Sequence, residues 1–168
     1  MRDLTGKTAF ITGGASGLGL AMAHAFGEAG MNVMLADIEE APLAAAVKDL
    51  EERQIRASGV LCDVAIRNAV EAAAAKTIET FGKVHVVCNN AGVGRAGPLE
   101  RILPTDWQWV IDVNLMGTVR GIRAFLPHMK SHGEGGHILN TSSMSGLTPR
   151  ALAGPYAATK FAIIGLSE

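Results

Sequence analysis

An excess of either charge is missing from this chain: 15 Lys and Arg stand against 16 Asp and Glu, for a formal net charge of -1. That balance, with no basic cluster, argues against a nucleic-acid or anionic-membrane surface. No apolar run approaches the roughly 18 residues of a membrane span. The opening "MRDLTGKTAF" carries charge at both ends without an apolar stretch between, so no secretion signal is expected. Cysteine is scarce too. Cys62 and Cys88 are isolated, each inside an expected buried strand, and two such thiols make no disulfide framework. Reduced core cysteines and a cytoplasmic setting are the expectation. What is present is 48% apolar and 18% charged residue over 168 positions, enough for one domain, 1–168, with its own core.

Strand and helix patterns alternate along the whole chain. "KTAFIT" (7–12), "MNVMLAD" (31–37), a strand within "RASGVLCD" (56–63), "KVHVVCNN" (83–90) and "GHILNTSS" (136–143) are short apolar runs. Between them lie helical spacings at 17–30, 42–54, 66–81 and about 104–131, and a last helix starts near Pro155. The strands are continuous apolar runs, as expected when helices cover both faces. Repeated strand–helix units with right-handed crossovers give an α/β fold with a doubly wound parallel sheet. No internal repeat or linker interrupts the pattern.

The first strand runs into "TGGASGLG" and then a helix. Glycines there let a backbone approach a pyrophosphate, and the helix N-terminus offers unpaired N–H groups to it. The spacing is G-x-x-x-G-x-G, and a glycine-rich turn alone is weak evidence. Asp37 closes the second strand, 18 residues after Gly19. A carboxylate there accepts from ribose hydroxyls and repels a 2′-phosphate, which favours NAD over NADP. Asp37 also suits the N-cap of the next helix. Asp63, closing the third strand, is open to the same two readings, contact with adenine or a helix cap near Ile66.

The lone Tyr156 stands four residues before Lys160 in "PYAATK". On a helix begun by Pro155 the two share a face, and an ammonium beside a phenol favours the phenolate. That makes a proton-transfer group, or else simply a half-buried tyrosine beside a surface lysine.

"NNAG" at 89–92, Asn114 in "DVNLMG", Ser142-Ser143, and Tyr156 thirteen residues after Ser143 complete the pattern. Together with "TGGASGLG" and "YAATK", this resembles the short-chain dehydrogenase/reductase family over essentially the whole chain, in order and at matching spacing. "HGEGGHI" and "ALAGPY" are similar, over shorter stretches, to bacterial dehydrogenases that oxidise benzylic alcohols of lignin fragments. The resemblance implies a Rossmann-type sheet of order 3-2-1-4-5 and a catalytic set of Asn114, Ser143, Tyr156 and Lys160. Tyr156 would be the general acid/base, and Lys160 would hold the nicotinamide ribose. Ser143 would bind the substrate oxygen, and Asn114 would hold a proton-relay water. The implied NAD site is Gly13, Ser16, Gly17, Leu18, Gly19, Asp37, Asp63, Val64, Asn90, Ala91 and Gly92, with Tyr156 and Lys160. The substrate would be a secondary alcohol or ketone, and apolar Val93, Met144, Leu147 and Leu152 nearby favour a hydrophobic or aromatic one. The resemblance also implies a homodimer or homotetramer through the helices at 104–131 and 155–168. A second apolar stripe, Trp109, Val113 and Met116, broken by Arg120 and Arg123, fits such a partner.

Each residue has a plainer role available. Asn114 lies near the stripe Trp107, Ile111, Leu115, Ile122 and Phe125, where a buried amide can satisfy backbone groups. Ser142 and Ser143 suit strand-end caps. His128 and His132, one turn apart and followed by His137, have zinc-like spacing, but no Glu follows the first and both sit at a helix C-terminus, so no metal is expected. The family's strands six and seven would follow Glu168, and the last letters, "IIGLSE", hold no helix stop, so the chain is expected to be a fragment. A nucleotide-binding module without catalysis is the rival reading.

Overall fold

A computed structural model describes residues 3–168. Five strands, β1 (Thr8–Thr12), β2 (Asn32–Asp37), β3 (Ala57–Leu61), β4 (Val86–Asn89) and β5 (His137–Asn140), form one parallel sheet in the order β3-β2-β1-β4-β5. Strand pleating sorts their side chains by period two. Ala9, Ile11, Val33, Leu35, Val86 and Cys88 face one side, packed with helices α1 (Gly17–Glu28) and α2 (Glu40–Glu52). Phe10, Met34, Ala36 and Val87 face the other, under α3 (Arg67–Phe81) and the long helical stretch that begins at Pro104. The fold class and strand order are those expected. Every strand's C-terminal end points the same way, which gathers the loops after β1, β2, β3 and β4 at one edge.

Several boundaries differ from the sequence reading for local reasons. Helix α1 stops at Glu28 and not at Gly30, because Gly30 turns to φ +86° and ends the right-handed run. Helix α2 starts at Glu40 and ends at Glu52, just before Gln54 at φ +63°. Strand β3 ends at Leu61, so Cys62 and Asp63 lie beyond it, although Cys62 is still buried. Strands β3 and β5 are partly exposed edges and not covered on both faces.

The long stretch is not one regular helix. Helix α4 (Pro104–Val110) passes into a π-helical segment (Ile111–Met116) and then α5 (Gly117–Ser131). The face against the sheet is Val110, Val113, Asn114, Gly117, Thr118, Gly121, Phe125 and Met129. Trp107, Ile111, Leu115 and Ile122 are only half-buried, which corrects the expected stripe. Glycines stand on the inner face where a neighbouring side chain fills the space beside the helix. A Cβ on Gly121 would overlap Asn89 Oδ1, and one on Gly117 would lie 3.0 Å from Val64 Cγ2. Phe125 then reaches Phe10, with ring centroids 4.5 Å apart. Helix α6 (Gly154–Ser167) packs on the π-helical segment.

Candidate active site

The end of β1 is fastened to the end of β4 by one hydroxyl. Thr12 Oγ1 accepts the N–H groups of Asn90 (2.9 Å) and Ala91 (3.0 Å) and donates to the Cys88 carbonyl (3.3 Å). In return, Asn90 Nδ2 donates to the carbonyls of Thr12 (3.0 Å) and Gly13 (3.4 Å). Gly13 must be glycine twice over: its φ is +63°, and a Cβ would stand 3.0 Å from Ala91 Cα. Gly19 is buried below the loop, where a Cβ would collide with the Gly13 carbonyl.

Ser16 is exposed at the N-terminus of α1, and its side chain makes no cap bond there. Asp37 Oδ2 accepts the Ala15 N–H (3.0 Å), and Oδ1 accepts those of Ile38 (2.8 Å) and Glu39 (3.2 Å). Glu39, not Asp37, is the residue that precedes α2, so the helix-cap alternative is replaced by a brace between glycine loop and strand end. Asp63 Oδ1 accepts the Ala65 N–H at 2.8 Å, capping the turn ahead of α3.

These loops enclose a cleft of about 460 Å³. Gly13, Ser16, Gly17 and Leu18 form one wall, and Asp37, Ile38 and Glu39 close one end. The loop from Cys62 to Ala65, which includes Asp63 and Val64, and the loop from Asn90 to Val93, which includes Ala91 and Gly92, complete the walls with Trp109 and Val113. Each dinucleotide position read from the loops therefore lines the cleft except Gly19, which supports it, while Tyr156 and Lys160, on α6, stand outside its lining. Trp109 and Val113 correct the expected second stripe. Val113 is buried in this chain's own core, whereas Trp109, at the edge of the cleft, is 46% exposed, so the core covers only one of the two. Their spacing was visible, but a stripe does not say what covers it. Thr12 carries no role in the sequence reading, although a threonine at the junction of buried strand and glycine loop is its signal.

Three of the four catalytic candidates, Asn114, Tyr156 and Lys160, come together at the Gly92–Gly94 end, and Ser143 starts the short turn that packs on α6. Asn114 is 1% exposed; its Oδ1 accepts the Val93 N–H and its Nδ2 donates to the Val93 carbonyl and to Thr159 Oγ1 (3.1 Å). A Cβ on Gly92 would lie 3.4 Å from Asn114 Oδ1 and 3.6 Å from Lys160 Nζ. Lys160 is 4% exposed, donates to the Thr141 carbonyl (2.7 Å), and lies 5.6 Å from the centre of the Tyr156 ring. Its ammonium is buried and not at the surface, and that burial lowers its pKa. Tyr156 is half-buried, with Cδ2 3.8 Å from where a Gly94 Cβ would stand. Ser142 Oγ donates to the Lys160 carbonyl (2.9 Å), which ties the end of β5 to α6. Ser143 Oγ accepts the Ser145 N–H (3.1 Å) at the start of a short turn, so it does cap. Thr141 links both halves: its Oγ1 donates to Asn90 Oδ1 (3.2 Å). Cys62, on the cleft wall, has its thiol pushed up to about 11 by burial, with Asp63 adding to the effect.

The histidines lie at the opposite end of the sheet. His132 Nε2 donates to the Val84 carbonyl (3.0 Å) while Nδ1 accepts the Glu134 N–H (3.2 Å), so both ring nitrogens are engaged. The His85 ring meets it tilted and the His128 ring edge-on, with centroids 5.1 and 5.4 Å away. Among the described residues no helix is long and apolar enough to cross a membrane.

Residues 7–168 match the family model of short chain dehydrogenases. The chain is 41% identical to a C alpha-dehydrogenase of Sphingobium sp., over all of this chain and 55% of that protein. It is 37% identical to 3beta-hydroxysteroid dehydrogenase 2 of Eggerthella lenta, over 98% of this chain and 64% of the relative. Among solved structures, a short chain dehydrogenase/reductase from Burkholderia phymatum in complex with NAD superposes with a TM-score of 0.97 at 42% identity, covering 99% of this chain and 59% of that one. The chain thus spans between 55% and 64% of the length of these three proteins. A family model matching nearly every residue, on the expected sheet and around the expected loops, makes the conclusion plain: the chain belongs to the short-chain dehydrogenase family.

Proposed function

We propose that the protein interconverts a secondary alcohol and a ketone with NAD, and that Tyr156 is its general acid/base. The observation that carries this reading is Lys160: a buried ammonium with one hydrogen bond among the described residues, to Thr141, close to Gly92 of the cleft wall and 5.6 Å from the centre of the Tyr156 ring. An ammonium has three donors, and burying one with donors to spare is costly unless a ligand completes it. The ribose hydroxyls of a nicotinamide nucleotide are suitable partners.

The cleft fits that group. Gly13 and Gly17, both at positive φ, bring backbone close to a phosphate, and α1 presents its N-terminus there. Asp37 and Glu39 place two carboxylates at the far end, suited to ribose hydroxyls and hostile to a 2′-phosphate. NAD, once bound, supplies the hydride acceptor for oxidation and the donor for reduction.

The chain's own residues do the rest. Tyr156 takes the alcohol's hydroxyl proton, or returns it in reduction. Lys160 supports negative charge on the phenol oxygen. Ser143 Oγ already accepts from Ser145, which leaves its own hydrogen to donate to the substrate oxygen. Asn114 holds Val93 and Thr159 in place on either side of Gly92. Met144, Leu147 and Leu152 are exposed apolar residues around this end, and favour a hydrophobic or aromatic substrate, as the name of the hydroxysteroid dehydrogenase relative also does. Exposed Met116, Phe161 and Leu166 support a homo-oligomer through the stretch 104–131 and α6. The two unpaired thiols suit a cytoplasmic protein.

The test is an NAD-coupled screen of secondary alcohols, aryl carbinols and hydroxysteroids among them, with protein from the complete reading frame. Turnover by the unmodified protein and a loss of about a hundredfold or more in Tyr156→Phe is expected. NAD binding without turnover of any alcohol or ketone would replace this reading with a nucleotide-binding module.

A further inference from the structure

We infer that Arg120 is a positioning residue that sets the width of the dinucleotide cleft; the inference rests on the reading that this cleft holds NAD. Val64 and Val113 line the cleft from different elements: the loop after β3 and the π-helical segment. Arg120, in the first turn of α5, is the side chain that spans from one to the other. Its Nη1 donates to the Val64 carbonyl (3.1 Å) and to the Asp112 carbonyl (2.9 Å), and its Nη2 faces Asp112 Oδ1 at 3.4 Å. The guanidinium side chain is 18% exposed, so these bonds are largely shielded from water.

The surrounding geometry is built to receive it. The Asp112 carbonyl also accepts the Gly117 N–H five residues on, so the π-helical turn presents this oxygen to two donors. Asp112 Oδ2 is held by Gln108 Nε2 at 2.9 Å. Gly117, bare of a side chain, lets α5 close against Val64, which brings the Val64 carbonyl within reach. A planar guanidinium can reach three such acceptors at once, whereas a lysine ammonium on a flexible stem cannot match the fork. In the sequence Arg120 interrupts an apolar stripe; in the fold it is a clasp turned inward. Without it two carbonyls lose a charged donor, and Val64 can drift from Val113.

The experiment compares unmodified protein from the complete reading frame with Arg120→Ala and Arg120→Lys. NAD affinity is measured by calorimetry, with kcat and KM for NAD and for the alcohol alongside. Arg120→Ala should raise the NAD Kd by about tenfold, the scale of one hydrogen bond to a charged group. The alcohol KM should stay put, and Arg120→Lys should fall between. Guanidinium ion at low millimolar concentration should recover NAD affinity in Arg120→Ala, where sodium at equal ionic strength should not. A residue needed only for folding would lower Tm and the active fraction while leaving the NAD Kd of the folded molecules unchanged, and that result overturns the inference. If Arg120→Ala does not fold, an unchanged NAD Kd in Arg120→Lys overturns it equally. Absence of NAD binding by the unmodified protein is a different failure: it removes the reading of the cleft itself, and this inference with it.

Discussion

Asn114 and Val93 form a closed pair in which one side-chain amide serves both backbone groups of the other residue. Oδ1 accepts the Val93 N–H at 2.8 Å and Nδ2 donates to the Val93 carbonyl at 2.9 Å. The second Nδ2 hydrogen goes to Thr159 on α6, so a single amide joins the loop after β4, the π-helical segment and α6. Asn114→Ala leaves both Val93 groups without that partner in a buried place. A loss of about 3 kcal/mol in urea unfolding is expected, together with a sharp fall in kcat. Asn114→Asp should be no milder at neutral pH, because it keeps an acceptor but loses both donors and buries a charge. A wild-type melt for both variants would remove Asn114 from the architecture of the site.

Asp37 should govern the choice between NAD and NADP. Its carboxylate lines the cleft and is held rigidly by three N–H groups, so it cannot turn away from a 2′-phosphate. Asp37→Asn, which removes the charge and keeps one acceptor oxygen, should narrow the NAD preference on the order of tenfold. Asp37→Ala should also weaken NAD itself, because Ala15 loses its brace. Titrations in which the unmodified protein prefers NADP would contradict both expectations.

Gly121 should be intolerant of a single methyl group. Asn89 Oδ1, buried without a hydrogen-bond partner among the described residues, occupies the space where a Gly121 Cβ would go. Overpacking at this contact should cost Gly121→Ala about 3 kcal/mol. Truncating the obstructing side chain as well, in Gly121→Ala with Asn89→Ala, should give back part of that loss. A simple sum of the two single effects in thermal melts would show that the clash is not the cause.

The far end of the sheet should make stability depend on pH. Burial, outweighing the Glu134 contact, lowers the His85 pKa from its ordinary 6.5, and Nδ1 is committed to accepting the Thr8 N–H. Glu134 is held well below the usual carboxylate range, first by Lys7, then by Lys83 and His85. Both groups therefore bind protons less readily when folded than when unfolded. Stability should be full above about pH 6.5, fall as the unfolded chain takes up the His85 proton, and fall again below about pH 4.5 as Glu134 follows. Glu134→Gln should remove the second decline. A urea midpoint constant between about pH 7 and pH 5 would refute the His85 contribution.

Much of this was readable from the residues. Five apolar runs separated by helical spacings gave the sheet, and "TGGASGLG" with Asp37 located the cleft, because local rules of turn chemistry and charge determine those features. The π-helical segment was not readable. Counting at 3.6 residues per turn from Trp107 through Ile111 and Leu115 misses a local change of register, and Gly117 and Gly121 carry no apolar signal although they form the inner face. Thr12 and Thr141 escaped for another reason. Their hydroxyls act on Asn90, which is 78 and 51 residues away in the chain, and only the folded backbone brings them together. The apolar runs of β3 and β5 do not themselves mark them as edges, since residue type alone does not report neighbours; the implied order 3-2-1-4-5 did.

The Thr12 hydroxyl has a thermodynamic consequence. By holding Asn90 and Ala91 against the glycine loop, it sets the walls of the cleft before anything enters. A guest is then spared the entropy of ordering two loops and meets donors already aimed. The heat-capacity change on association should accordingly match the surface the guest itself covers, without the larger negative contribution of a binding site that condenses around its ligand.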